Sequence, residues 1–430
     1  MPTTETLRSS HTDQRNPWIW IPSLYFAQGI PYAVVMALAV VMYKNMGISN
    51  AEIAFYTSWL YLPWVLKPLW SPLAELIGTK RGWIWALQFC VAVALALVAL
   101  TLPGSEFFRL SLAVLWLMAF ASASHDIAAD GFYLLAQDVG SQAAFIGVRS
   151  TCYRLANICV QGGLVAIAGH LQKTMGSTAV AWSVVFWTLA GAFALLGAWH
   201  WRVLPRPGQD RPAARQGDFW RGFLAVFALY FKKPGILVTL GFLLLYRFPE
   251  AQLLKLAVPF LLDKPETGGL GLATAQVGLA YGTVGVAALT LGGLLGGWVV
   301  SRLGLRRVLW PLVLVMHVPN VVFVLLAQSQ TTSLPLICTA LAVEQFGYGL
   351  GFTAYMMYMV LVAEGAHKTA HYAICTGFMA LGMMLPGLWS GWLQQQLGYF
   401  HFFAWVLLCT LPSLVMAALI KIPEHFGKKA

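Results

Sequence analysis

The sequence predicts an all-α integral membrane protein with twelve transmembrane helices in two six-helix bundles. Of its 430 residues, 59% are hydrophobic and only 10% are Asp, Glu, Lys or Arg, against about 25% charged residues in a typical soluble domain. Apolar runs that reach the roughly 20 residues needed to cross a bilayer recur along the chain. One long polar stretch divides these runs into two sets of six. The composition therefore excludes a soluble enzyme and a disordered chain.

The first six apolar runs belong to residues 1–201, which we expect to form the N-terminal six-helix bundle. We expect the first run to be a retained helix and not a signal peptide, because it is long and lacks a convincing cleavage site. The runs lie near residues 18–42, 54–72, 83–102, 110–133, 145–170 and 178–201.

The polar stretch carries seven Arg and Lys against two Asp between Arg202 and Lys233. We expect residues 202–234 to be a basic cytoplasmic linker. Its second half, from Phe219 to Phe231, is aromatic-rich and amphipathic, which is typical of a helix lying on a membrane surface. Residues 235–430 are then the C-terminal six-helix bundle and tail. Its apolar runs lie near residues 235–262, 275–300, 309–327, 334–362, 373–393 and 399–420.

The positive charges predict the orientation of the chain in the membrane. A formal net charge of +11 would suggest nucleic-acid binding in a soluble protein, but cytoplasmic loops of membrane proteins carry an excess of Lys and Arg. An N-terminus inside the cell assigns 18 of the 27 Lys and Arg to cytoplasmic segments and four to the other side. We therefore expect both termini in the cytoplasm and no nucleic-acid partner.

Four acidic residues lie within the apolar runs, where a charge costs on the order of 2.5–3.5 kcal/mol by insertion scales. Asp126 and Asp130 are four residues apart, so they share one helix face. Two interpretations stay open: static ion pairs that fix helix packing, or a site that takes up a proton and couples it to transport. The candidates for proton coupling are Asp126, Asp130, Glu250 and Glu344.

Five cations also lie within the runs, and they are candidates for binding an anionic substrate, since Arg binds carboxylates in a bidentate manner. They are Lys67, Arg149, Arg154, Arg247 and Lys255. Prolines 31 and 249 interrupt the first run of each half, and interrupted helices at matching positions are where transporters build substrate sites. Pocket candidates beside these features are Gln28, Tyr32, Tyr153 and Tyr246. A simple helix kink without a ligand is the alternative.

Catalytic and metal-binding patterns are missing from the sequence. It has no Ser/His/Asp arrangement, no HExxH motif and no metal-ligand spacing. We therefore expect neither an enzyme nor a bound cofactor or metal, and we expect a proton as the coupling ion.

Two short basic turns recur at matching positions in the two halves, in residues 71–81 and 297–307. They resemble the turn between the second and third helices of major facilitator superfamily transporters, Gly-x-Leu-Ala-Asp-Arg-x-Gly-Arg-Lys. Glu75 replaces its acid in the first copy, and Ser301 takes that place in the second. The resemblance implies a cytoplasmic gate formed by Glu75, Lys80, Arg81, Arg302 and Arg306. Ordinary positive-inside loops are the alternative.

Three further segments resemble the AmpG-type muropeptide permeases and their acetyl-coenzyme A transporter relatives. They are Gln-Gly-Ile-Pro-Tyr (28–32), Leu-Pro-Trp-Val-Leu-Lys-Pro-Leu-Trp-Ser-Pro (62–72) and Ser-His-Asp-Ile-Ala-Ala-Asp-Gly-Phe (124–132). His125 replaces a Gln of that family, and Tyr246-Arg247-x-x-Glu250 is similar to its Tyr-Lys-x-x-Asp. The resemblance implies that five residues are important for function: Lys67, Asp126, Asp130, Arg247 and Glu250.

The resemblance implies a secondary active transporter that takes up anhydromuropeptides with protons across a bacterial inner membrane by alternating access. In this hypothesis, a proton on Asp126 or Asp130 weakens its pairing with Arg149 or Arg154, and anionic groups of the substrate bind Lys67 or Arg247. A siderophore or other small-molecule permease is the alternative within transport. A membrane sensor or scaffold is the alternative outside it. We expect a monomer whose partners are the lipid bilayer and a small anionic substrate.

Overall fold

A computed structural model of the chain describes residues 15–71, 77–137, 139–211, 219–365, 367–424 and 426–428. All regular secondary structure in these residues is helical. Ten helices among them are long and apolar enough to cross a membrane. This confirms the all-α membrane fold.

The first half of the protein comprises seven helical elements. They are α1 (Pro17–Asn45), α2 (Asn50–Trp59), α3 (Leu62–Trp70), α4 (Lys80–Thr101), α5 (Phe107–Ala136), α6 (139–175) and α7 (Thr178–Val203). A short helix, α8 (Phe219–Phe231), belongs to the linker. The second half comprises α9 (Ile236–Leu262), α10 (Thr274–Leu303), α11 (Leu305–Ser329), α12 (Leu334–Ala363), α13 (Lys368–Leu408) and α14 (Thr410–Leu419).

Two local breaks explain why ten helices, and not twelve, pass as spans. The predicted second span is divided into α2 and α3, because Pro63 enters the first turn of α3 and proline disfavours helix just before itself. The last two predicted spans pass as one segment, Ala370–Leu419. They meet at a kink at Gly398, whose φ of 71° is left-handed. The predicted count of twelve spans, like the cytoplasmic placement of both termini, stays a prediction.

The first helix of each half is irregular where the sequence predicts it. In α1, a π-helical turn over Val34–Leu38 follows Pro31, since an interior proline removes a backbone hydrogen bond. In α9, the helix is interrupted after Leu245 and resumes at Phe248, with Pro249 in its first turn. Polar groups beside these breaks can therefore point between the two halves.

The two halves touch along α6 and α10, each of which has a π-helical turn at the contact, over Cys159–Leu164 and Gly278–Gly285. Glycine allows this close approach: a Cβ added to Gly282 would lie 1.9 Å from the carbonyl oxygen of Gln161. On the other side of the protein, α2 and α3 pack against α13.

Polar contacts join the halves at the end where α1 stops and α2 begins, which we call the closed end. Asp263 receives the Lys44 ammonium at 2.6 Å and the Asn50 amide at 3.1 Å. Asn50 also donates to Gln394 at 2.9 Å, and Thr274 donates to Asn45 at 2.7 Å. At the opposite end, the open end, no hydrogen bond between the halves is found in the described ranges.

The linker attaches to both halves. Asp210 accepts hydrogen bonds from the backbone N–H groups of Lys80 and Arg81, at 2.7 and 3.0 Å, and so caps the start of α4. In α8, the fully buried Tyr230 packs its ring 5.5 Å from the ring of His371 in α13. Large apolar side chains such as Leu195 and Leu237 remain 73% and 81% exposed, as expected for a surface that faces lipid.

Candidate functional site

A cavity of about 830 Å³ lies between the two halves. Residues of α1, α6, α9, α10 and α12 form most of its wall, together with Tyr61 between α2 and α3. It extends from Val258, towards the closed end, to Asp130 and Tyr372 at the open end. Seven tyrosines line it: Tyr25, Tyr32, Tyr61, Tyr153, Tyr281, Tyr348 and Tyr372.

Asp130 and Arg149 form an ion pair in the cavity wall near its open end. The Arg149 Nη2 lies 2.6 Å from the Asp130 carboxylate, whose second donor is the hydroxyl of Tyr25 at 3.1 Å. The guanidinium lies between two rings, 4.1 Å from the centroids of both Tyr25 and Tyr133. The Asp130 side chain is 47% exposed, so this pair is accessible from the cavity.

Asp126 has different partners, although it shares a helix with Asp130. Its carboxylate lies 3.5 Å from the Lys67 ammonium and accepts a hydrogen bond from Trp64 Nε1 at 3.2 Å. The expected pairing of the two acids with Arg149 or Arg154 is therefore found for Asp130 alone, because Asp126 faces α3 and not α6. Neither Asp126 nor Lys67 lines the cavity.

Arg247 and Glu250 form a second, deeply buried ion pair at the break in α9. Two hydrogen bonds of 2.9 and 3.3 Å join them, and their side chains are 8% and 3% exposed. Arg247 also donates to the Tyr348 hydroxyl at 2.5 Å and lies 4.7 Å from the ring centroid of Phe352. Tyr348 and Phe352 line the cavity, so the pair lies directly behind its wall.

Three charged residues within the spans have no ion pair in the part of the chain that the structure describes. Arg154 lines the cavity beside Gly293. Lys255 also lines it and donates to the Thr57 hydroxyl across the two halves at 2.9 Å, with the Tyr61 ring 5.2 Å away. Glu344 is 1% exposed and accepts only from its neighbour Gln345, at 2.9 Å. Among the described residues, each half thus offers the cavity one cation without an acidic partner.

Three of the four uncharged pocket candidates line the cavity, namely Gln28, Tyr32 and Tyr153. The Gln28 side chain is buried, and its Oε1 has no hydrogen-bond partner among the described residues. Tyr246 differs from the expectation. It is fully buried in the second half, donates to the Gly351 carbonyl at 3.1 Å and stacks on Tyr355, because the break in α9 turns it away from the cavity.

The contacts found for the predicted cytoplasmic gate each lie within one half, in the described ranges. Glu75 lies outside them. Arg81 donates to the carbonyls of Trp201 and Leu204, in the same half, and Lys80 lies against Gly131 of α5. Arg302 lies over its neighbour Trp298, and Arg306 has no hydrogen bond to a described residue. The gate role therefore stays a prediction.

His125, which replaces a Gln of the resembled family, belongs to a buried hydrogen-bond chain in the first half. Its Nε2 lies 3.0 Å from Gln88 Nε2, and Gln88 Oε1 lies 2.8 Å from His200 Nδ1. His200 Nε2 in turn lies 3.0 Å from the hydroxyl of Ser23. The chain joins four helices and does not line the cavity, which is consistent with a role in helix packing.

Several cavity residues were missed because nothing in their local sequence distinguishes them from aromatic residues at a membrane interface. They are Tyr25, Tyr61, Tyr281, Phe352 and Tyr372. Tyr25 is the exception, because Tyr25, Gln28 and Tyr32 follow one another at spacings of three and four residues and so share one face of α1.

Residues 28–215 match the BT1 family. The anhydromuropeptide permease of Escherichia coli strain K12 is 25% identical over 401 residues, which cover 91% of this chain and 77% of that protein. An uncharacterized protein of Haemophilus influenzae is 26% identical over 412 residues and 91% of each chain. The putative transporter AmpG 2 of Rickettsia bellii is 24% identical over 361 residues, 82% of this chain and 84% of that protein.

Solved structures of transporters share the fold. A bacterial homolog of the human lysosomal transporter Spinster, in an inward-facing and unoccupied conformation, aligns with a TM-score of 0.70 at 16% identity over 93% of this chain and 95% of that one. The nucleoside transporter NupG aligns with a TM-score of 0.68 at 16% identity over 94% and 100%. The chain is therefore a multi-pass membrane transporter and not an enzyme, and it is similar to the AmpG-type permeases over most of its length.

Proposed function

We propose that this transporter takes up anhydromuropeptides together with protons across the bacterial inner membrane, by alternating access. The observation that carries the proposal is the cavity between the halves, which is closed at one end by the Asp263 contacts. It is lined by tyrosines and by two cations, Arg154 and Lys255, that have no acidic partner among the described residues. If both termini are cytoplasmic, the open end faces the cytoplasm. The arrangement is then the one from which substrate is released into the cell.

The chemistry of the cavity fits a sugar that carries carboxylates. Arg154 and Lys255 have no acid to neutralise them in the described part of the chain, so they can bind carboxylates of a ligand. The tyrosines present both ring faces, which can pack on sugar rings, and hydroxyls that donate and accept hydrogen bonds. The free Oε1 of Gln28 can accept from a hydroxyl or an amide. The relative in Escherichia coli named for anhydromuropeptides supports this substrate class.

Asp130 and Glu344 are the acids that we propose for proton coupling. Asp130 holds Arg149 by a single short contact in the accessible part of the cavity, so a proton on Asp130 would free Arg149. Glu344 is buried without a cation among the described residues, and an ionised carboxylate in that position is costly. Asp126 and Glu250 form ion pairs with Lys67 and Arg247. These pairs then stabilise helix packing or act as secondary sites of proton uptake.

Uptake into proteoliposomes under an imposed pH gradient tests the proposal. We expect wild-type protein to accumulate a labelled anhydromuropeptide only when the outside is more acidic. Glu344→Gln and Asp130→Asn should each abolish gradient-driven accumulation, while exchange of labelled for unlabelled substrate at equal pH continues. Glu106→Gln is the matched control, because Glu106 is 62% exposed outside the cavity. If both cavity variants accumulate substrate as wild type does, the coupling assignment is wrong.

Competition separates the two substrate classes. An anionic siderophore could also use the cations of the cavity. An excess of unlabelled anhydromuropeptide should inhibit uptake of the labelled compound, and an iron-loaded siderophore should not. Transport of the siderophore, without transport of the anhydromuropeptide, would replace the proposed substrate while leaving the cavity as the binding site.

A further inference from the structure

A second cleft, of about 180 Å³, lies on the side of the protein where α3, α8 and α13 meet. All the residues that line it are apolar, and they include Val65 and Leu69 of α3, Phe227 and Phe231 of α8, and Ile374 and Phe378 of α13. It is separate from the large cavity, with which it shares no lining residue. We propose that this cleft binds one acyl chain of an anionic phospholipid.

The cleft opens towards the lipid. Its rim residues Leu69 and Phe231 are 52% and 45% exposed. The outer face of α8 continues the apolar surface with Leu224 and Leu229, which are 64% and 49% exposed. An apolar slot next to an apolar outer surface takes up hydrocarbon and not water, because water there would have no hydrogen-bond partners. The ligand that a bilayer supplies to such a slot is an acyl chain.

Cations at the end of α8 supply the site for the phosphate. Lys232 follows Phe231 directly and is exposed. Lys233 donates from its ammonium to the carbonyls of Val362 and Glu364, which fixes α8 to the turn between α12 and α13. Lys368, also exposed, begins α13 after that turn. Basic residues at a membrane surface attract anionic headgroups.

One lipid molecule can occupy both the cations and the cleft, because the cations lie next to the cleft residues along α8 and α13. Ile374 is six residues after Lys368, or about 9 Å along α13. Phe231 and Lys232 are adjacent at the end of α8. The one acid described in the turn is Glu364, and its charge is attracted to Lys233, which leaves Lys232 and Lys368 for the phosphate. A phosphate at Lys232 and Lys368 therefore places its acyl chain at the mouth of the cleft.

The lipid would bear on transport because the cleft is built from both halves. α3 belongs to the first half and α13 to the second, and they touch at its inner edge, where a Cβ on Gly377 would lie 3.0 Å from the Val65 carbonyl. Rocking of the halves changes the width of the cleft. An acyl chain between α3 and α13 therefore stabilises the arrangement with the closed-end contacts. It disfavours an arrangement in which α3 and α13 come closer and narrow the cleft.

Native mass spectrometry of the purified full-length protein tests the site, with phosphatidylglycerol and with phosphatidylcholine of the same chains as probes. We expect phosphatidylglycerol to remain bound at collision energies that remove phosphatidylcholine. Leu69→Trp, which fills the mouth of the cleft, and the double variant Lys232→Gln with Lys368→Gln should each reduce bound phosphatidylglycerol at least threefold. Leu237→Trp is the matched control, since Leu237 is lipid-facing and 81% exposed.

The outcomes separate the parts of the proposal. Equal binding of the two lipids would overturn the preference for an anionic headgroup at Lys232 and Lys368. Unchanged phosphatidylglycerol binding by Leu69→Trp and by the cleft variant Leu381→Trp would overturn the acyl site, and the second variant covers the case in which the first does not fold. None of these residues lines the large cavity, so loss of lipid binding with normal substrate affinity distinguishes this site from the proposed transport site.

Discussion

Replacing Asp263 by asparagine should release the closed end of the protein. The carboxylate of Asp263 lies 2.6 Å from Lys44 and accepts hydrogen bonds from Asn50 at 3.1 Å and Tyr399 at 2.6 Å. Lys44 and Asn50 belong to the first half, and Asp263 and Tyr399 to the second. The side chains of Lys44 and Asp263 are only 14% and 20% exposed, so solvent screens their attraction weakly.

The free energy at stake follows from these contacts. Hydrogen bonds to charged groups contribute about 1.5–3 kcal/mol each. The substituted asparagine would keep the shape and an acceptor for Tyr399, and Lys44 would keep its hydrogen bond to Asn50 at 2.7 Å. We therefore expect a net loss of about 2 kcal/mol from the closed-end contacts, which shifts the equilibrium between the two arrangements about 30-fold.

Pulsed electron-spin distance measurements can detect the shift. Spin labels at Lys173→Cys and Lys264→Cys, both exposed near the closed end, report the separation of the halves in a background without the six native cysteines. Asp263→Asn should increase the population with the longer distance, and Glu266→Gln, an exposed acid in the same loop, should not. An unchanged distance distribution in Asp263→Asn would refute the assignment of Asp263 as the residue that holds this end shut.

Two further predictions follow from single residues. Arg154→Gln should raise KM for an anionic substrate about tenfold or more without lowering protein yield, since a charge-assisted contact of about 1.5–3 kcal/mol is lost. Lys173→Gln, an exposed cation, is the control, and equal KM values in the uptake assay would exclude Arg154 from the binding site. Gly282→Ala should lower Tm in detergent by several degrees, because its Cβ would lie 1.9 Å from the Gln161 carbonyl. The control Gly297→Ala should leave Tm unchanged, because its Cβ would have no described atom within 4 Å. Similar Tm values for the two variants would contradict the close packing of α6 on α10.

The spans could be predicted from the sequence because a bilayer leaves the backbone little choice. Every N–H and C=O in hydrocarbon must be satisfied internally, so an apolar run of sufficient length becomes a helix. The run near 83–102 is the helix Lys80–Thr101, and the run near 178–201 is Thr178–Val203. The division of the second span into α2 and α3 was not predicted, although its prolines were visible in the sequence.

The partners of the charged residues could not be predicted in the same way. The spacing of Asp126 and Asp130 places both on one face of α5, but that face meets both α3 and α6. Asp126 therefore pairs with Lys67 and Asp130 with Arg149, a choice made by helix packing and not by sequence spacing. For the same reason, Tyr246 lies in the core of the second half whereas Tyr348 lines the cavity, although both are tyrosines.

The two attachments of the linker give the protein a mechanical property. Asp210 is anchored on the first half at the start of α4, and α8 is anchored on the second half by Tyr230. Only eight residue steps separate Arg211 from Phe219, and a fully extended chain of that length reaches about 28 Å. This covalent length is the longest distance that can separate the two residues. While both anchors hold, it sets an upper bound on how far the open end of the transporter can widen, whatever the size of the cargo.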